Sequence, residues 1–92
     1  MKLRYKRRAL NDLVSIEEYI ARHDREAAER VVRRIDRAIG RLLTLPLSGR
    51  PGVVQGTRVL VVPGLPYVAI YRVRRDMVDI IAVLHAARRQ RS

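Results

Sequence analysis

The sequence predicts an α+β fold in the order β-α-α-β-β-β, a helical hairpin packed on one face of a small, mainly antiparallel sheet. Three observations carry that prediction. Residues 2–7 alternate apolar with basic side chains, the span from Ala9 to Leu43 switches to apolar spacings of three and four, and from Thr57 onward β-branched runs alternate with turn residues. A chain of 92 residues with 48% hydrophobic content has material for one core, so a single domain over residues 1–92 is expected, with a tail at about 86–92 that need not pack.

The elements follow in order. Leu3 and Tyr5 fall on one side of the first strand and Lys2, Arg4 and Lys6 on the other, which makes it half-buried with a basic outer face. From about Ala9 to Arg22, Leu10, Leu13, Ile16 and Ile20 form a helical stripe that Val14 and Tyr19 broaden. His23-Asp24 breaks it, and Asp24 can cap the next helix by accepting from an orphan backbone N–H. That helix, from about Arg25 to Leu43, has the clearest period in the chain: Ala28, Val31, Val32, Ile35, Ala38, Ile39 and Leu42 on one side, and Arg30, Arg33, Arg34, Arg37 and Arg41 opposite. The arginine ridge is expected to be a solvated face.

Pro46, Gly49, Pro51 and Gly52 mark residues 46–56 as a loop. Strands are expected at Thr57–Val62, Tyr67–Val73 and Val78–Leu84, separated by Pro63-Gly64-Leu65-Pro66 and Arg74-Arg75-Asp76. The last run is apolar on both faces, as an interior strand should be. The hairpin can cover one face of such a sheet and leaves the other partly open, a binding surface lined with basic groups.

Charge narrows the partners. Lys plus Arg total 20 against 9 Asp plus Glu, a net charge of +11, and only Lys2 and Lys6 are lysine. Such an excess favours a polyanion or an acidic protein. A basic nucleic-acid-binding module meets that requirement on charge alone. Yet Phe and Trp are absent, the four tyrosines form no stacking motif, and no helix-turn-helix or zinc-finger spacing occurs. Without cysteine there is no disulfide, thiolate metal site or cysteine nucleophile, and His23 and His85 are too few and too far apart to hold a metal. No cofactor is expected. No apolar run approaches the roughly 20 residues that span a bilayer, and no signal-peptide core follows Met1, so a cytoplasmic protein without membrane contact is expected.

Six segments in order resemble the RelE/ParE superfamily, the toxins of bacterial type II toxin–antitoxin modules. They are Ala9-x-x-Asp12-Leu13-x-x-Ile16-x-x-Tyr19-Ile20, then Ala27-Ala28-Glu29-Arg30, then Leu45-Pro46-x-x-Gly49-Arg50-Pro51. Gly56-Thr57-Arg58, Tyr67-Val68-Ala69-Ile70-Tyr71-Arg72-Val73 and Val83-Leu84-His85-x-x-Arg88-Arg89 complete the set. The resemblance implies a growth-arresting protein held silent by a co-expressed antitoxin whose C-terminal segment wraps it. An acidic, disordered antitoxin that folds on binding suits the +11 charge, and its association should slow as salt rises.

Two mechanisms divide the superfamily, and the resemblance favours the ParE-like branch, which binds DNA gyrase and stops replication. The alternative is RelE-like cleavage of ribosome-bound mRNA, which needs basic groups for phosphate charge and a proton-transfer side chain. Where RelE-like nucleases carry basic residues, this chain has Val59, Val61 and Val68, and no Tyr follows Tyr71. Arg58, Arg72 and His85 are the candidates for a substitute nuclease site. The tail lacks the aromatic common in ParE-like relatives. Arg50, Arg58, Arg72, His85, Arg88 and Arg89 are the candidate contacts to target or antitoxin, with a pair to Asp79 the structural alternative for Arg72. Arg58 and Arg72 are expected on adjacent strands facing the open side. Asp12 and Glu17 are expected at solvent or salt-bridge positions.

Overall fold

The computed structural model describes residues 1–89, with the side chains of Arg88 and Arg89 outside that description. The elements are β1 (Lys2–Tyr5), α1 (Arg7–Ala21), α2 (Arg25–Gly40) with a 3-10 turn at Arg41–Leu43, β2 (Arg50–Pro51), β3 (Arg58–Val61), β4 (Tyr67–Arg74), β5 (Met77–His85) and α3 (Ala86–Arg89). The expected order holds, with two additions: α3 opens what the sequence reads as a tail, and the two-residue β2, inside what the sequence marks as a loop, pairs Arg50 with Val59 and Pro51 with Arg58.

The sheet runs β1-β5-β4-β3-β2. Only β1 pairs in parallel, so the sheet is mixed but mainly antiparallel. The crossover from β1 to β5 is the whole intervening chain, which brings the first strand beside the last. Ile81 stands unpaired opposite the Ile70–Tyr71 step, because Ile70 faces Ala82 and Tyr71 faces Ile80. This bulge shifts the alternation of β5, so Val78, Ile80 and Val83 all join the core.

Both helices pack on one face of the sheet. Asp24 caps α2 as expected, its Oδ1 accepting from Ala27 N at 3.0 Å. The α2 stripe delivers Ala28, Ile35, Ala38 and Ile39 to the interior, and Leu42 follows from the 3-10 turn. Ile35, Ala38, Ile39 and Leu42 meet Tyr67, Ala69 and Tyr71 of β4 and Val78, Ile80 and Val83 of β5. The arginines of the ridge are exposed, as expected, and Arg34 reaches over to donate to Pro63 O at 2.9 Å.

Helix α1 differs from its predicted stripe. Ala9 is buried and Leu13 and Ile16 pack against the core, but Leu10, Val14 and Tyr19 are exposed. Leu10 and Val14 lie about 100° round the helix from Ala9 and Leu13, beyond the line that meets the sheet. Asp12 does more than pair with solvent or a cation. One oxygen accepts from Arg8 at 3.2 Å and the other from the backbone N–H of Val83 at 2.9 Å. That N–H lies past the last β1 residue, so a helix carboxylate replaces the missing strand.

Candidate functional site

Cross-strand partners share a sheet face, so the register assigns the side no helix covers. Val59 and Val61 face Ile70 and Val68, which in turn face Ala82 and Leu84. The face that no helix covers is therefore an aliphatic strip, but only partly accessible: Val61 is 50% exposed and Ile70 and Leu84 are half-buried, whereas Val59, Val68 and Ala82 are buried. Beside the strip runs a charged row formed by Arg4, Asp79 and Arg72 on three successive strands. Arg50 stands opposite Val59 at the β2 edge.

Asp79 holds the row together. Its side chain is 3% exposed, and Arg4 Nε and Nη2 donate to its two oxygens at 2.8 and 3.2 Å. Arg74 Nε stands 4.0 Å away. The hydrogen bonds from Arg4 keep the Asp79 carboxyl below its ordinary value and raise Arg4 in turn. Arg72 is not its partner, although it sits directly across from it. The fork from Arg4, arriving along the parallel strand, occupies both oxygens. Among the described residues Arg72 has no hydrogen bond or ion pair at all.

Arg58 and Arg72 also fail to share a face. Arg58 stands opposite Tyr71, on the helix side, and Arg72 opposite Asp79, on the open side. The hairpin joining β3 and β4 pairs Val61 with Val68, which sets residues 58 and 72 at opposite phases of the pleat.

Arg58 and Tyr71 do a common task. Tyr71, fully buried, donates its hydroxyl proton to Pro46 O at 2.8 Å and accepts from Gly49 N at 2.9 Å. Arg58 Nη1 donates to Gly49 O at 2.6 Å and reaches Leu47 O at 3.4 Å. The loop before β2 is thus clamped through its backbone by two side chains. Gly49 is required there: a Cβ would lie 2.7 Å from both the Tyr71 hydroxyl and Val59 O. Against the clamped loop lies a cleft of about 310 Å³ lined by Leu47, Pro51, Gly56, Thr57, Arg58 and Val73.

His85 sits at the far end of β4 from Arg72, opposite Tyr67 and edge-on to its ring at 5.6 Å. Its Nδ1 accepts from Ala87 N at 3.2 Å, which caps the start of α3 and leaves the proton of the neutral ring on Nε2. Tyr67 and Arg72 are five positions apart, about 17 Å along a strand. The structure therefore does not bring Arg58, Arg72 and His85 together. Arg88 and Arg89 belong to α3, but any contact they make lies outside the described residues. Among the described residues no three His, Asp or Glu side chains gather as metal donors, and no helix is long and apolar enough to cross a membrane.

A two-helix hairpin on a five-stranded sheet with arginines at its rim is the architecture to which comparison with known proteins gives a class, the toxins of type II toxin–antitoxin modules. The chain belongs to the ParE toxin family: the family model described as the ParE toxin of the type II toxin-antitoxin system, parDE, matches residues 3–90. It is 46% identical over 85 residues to Y4kP of Sinorhizobium fredii, a protein named for a toxin role, covering 92% of this chain and 88% of that one. Toxin RelE2 of Caulobacter vibrioides is 38% identical over 81 residues, 88% of this chain and 90% of the relative. A solved structure titled as the chromosomal ParDE TA system from P. aeruginosa superposes with a TM-score of 0.83 at 28% identity, covering 92% of this chain and 95% of that one.

Proposed function

We propose that this protein arrests bacterial growth by binding DNA gyrase and is silenced by a co-expressed antitoxin that covers it. The observation that carries this reading is the aliphatic open face. Val59, Val61 and Val68, standing where RelE-like nucleases place basic residues, lie in one aliphatic row with Ile70, Ala82 and Leu84, whose accessible part is Val61 with the half-buried Ile70 and Leu84. Such a surface can bury area against a protein but can neither neutralise a phosphate nor move a proton. The separation of His85 from Arg58 and Arg72 supports inhibition by binding, because the one candidate proton-transfer side chain stands apart from the arginines.

Pulse-labelling after induction without antitoxin tests it. Thymidine incorporation falls before methionine incorporation if gyrase is the target, and the purified protein then inhibits DNA supercoiling. Methionine incorporation falling first, with intact supercoiling, would overturn the gyrase assignment and make mRNA cleavage the better account.

A further inference from the structure

The charge distribution points away from the open face to the clamped loop. No Asp or Glu occurs between Asp36 and Asp76, a stretch that contains the loop, β2, β3 and β4. Arg58 and Arg72 lie within it, and neither has a carboxylate partner among the described residues. Arg58 lines the cleft and commits only Nη1 to the loop carbonyls, leaving Nε and Nη2 without a protein acceptor. Arg72 approaches the same rim from the other face of the sheet, its Nε 3.6 Å from where a Cβ on Gly56 would stand. Gly56 itself has φ of +85°, in the left-handed region, and so lets the chain turn beside the Arg72 guanidinium.

We propose that this cleft receives a carboxylate: Arg58 in its lining and Arg72 beside Gly56 at its rim take a Glu or Asp side chain of the antitoxin, whose aliphatic neighbours pack on Leu47 and Val73. The inference rests on the toxin–antitoxin reading and adds to it the place and chemistry of one anchor. Guanidinium groups with free nitrogens form charge-assisted, directional bonds to a carboxylate. The surroundings select a protein rather than a nucleic acid. Leu45, Leu47, Val53 and Val54 are exposed around the loop, whereas the one exposed tyrosine, Tyr19, is on α1. A base would find no aromatic ring to stack on near the cleft, while an acidic segment rich in Leu, Ile or Val would find both its needs met. Because Tyr71 and Arg58 already fix the loop, little ordering remains to be done on binding.

The test is calorimetric titration of the full chain with the antitoxin encoded beside it. Arg72→Gln removes a side chain the fold does not use, and Leu47→Glu places like charge in the cleft wall without touching the core. Each should weaken binding about tenfold or more, with unchanged melting temperature. Replacing the anchoring antitoxin acid by its amide should cause little further loss in the Arg72→Gln background, the signature of a coupled pair. Arg58→Gln should weaken binding further, and Tyr71→Phe, which loosens the loop but keeps both arginines, should weaken it less. If the wild type binds and both Arg72→Gln and Leu47→Glu bind within about twofold of it, the cleft is not the anchor and the toxin reading stands. If those variants keep antitoxin affinity but lose growth arrest, the cleft serves the cellular target and the proposal is overturned. If the wild type does not bind the co-encoded protein, the toxin–antitoxin reading fails and takes this inference with it.

Discussion

The two ends of the sheet hold their arginines in opposite ways. At the β1 end carboxylates do structural work: Asp79 takes the Arg4 fork, Asp12 joins Arg8 to the Val83 amide, and Asp36 accepts from Tyr5 at 2.7 Å. At the loop end arginine is held by backbone carbonyls, as Arg58 is by Gly49 and Leu47. A carboxylate cancels the charge it positions, whereas a carbonyl positions the charge and leaves it intact. At one end the stapling arginines are paired with carboxylates, and at the other the positioned arginine keeps its full charge.

The sharpest way to break the loop end is Gly49→Ala. The new methyl meets backbone at Val59 as well as the Tyr71 hydroxyl, so it should cost about 3 kcal/mol, read as a lower denaturant midpoint. Tyr71→Phe keeps the ring but strands the Gly49 amide, and should cost about 2 kcal/mol. Rapid hydrogen exchange confined to residues near 46–50 would show that the loss is local to the clamp.

At the β1 end Asp79→Asn should cost about 1–2 kcal/mol near neutrality, since the Arg4 it leaves is half exposed and rehydrates. Its pH dependence separates the ends. The folded Asp79 carboxyl titrates below its unfolded value of about 3.9. Its contribution is therefore complete above that range and is lost as the pH falls through the folded value. The melting-temperature gap between wild type and Asp79→Asn should narrow as the pH falls below about 3.9, whereas the Tyr71→Phe deficit should persist. Smallest is Asp24→Ala, which removes the α2 cap and should cost about 1 kcal/mol without favouring either end.

What the sequence discloses about this molecule is what local periodicity can carry. The α2 stripe, the Asp24 cap and the three long strands follow from spacing within one segment, and the helix-covered face follows from them. Long-range pairing is different. Nothing near Asp79 signals that Arg4, 75 positions away, arrives beside it through a parallel strand and takes the place expected of Arg72. Two-residue β2 is too short for any period to reveal, and its proline argues locally for a turn. The opposite facing of Arg58 and Arg72 was within reach, because the length of the β3–β4 turn fixes their parity. The clamp was not, since a tyrosine in a strand gives no sign that its hydroxyl will hold a loop 25 residues upstream.

The carboxylate of Asp12 on the Val83 amide also bears on how the protein keeps its own company. A strand that outruns its neighbour offers a template on which another chain can crystallise into a growing ribbon. Here the overhang of β5 is stoppered by a helix side chain, β1 at one margin is short and bears Lys2 and Arg4, and β2 at the other is two residues long and contains proline. On the reading proposed above, this protein acts when it is free of its silencing partner. A surface that refuses to polymerise keeps the orphaned molecule dispersed and available, rather than buried in an inert deposit of its own copies.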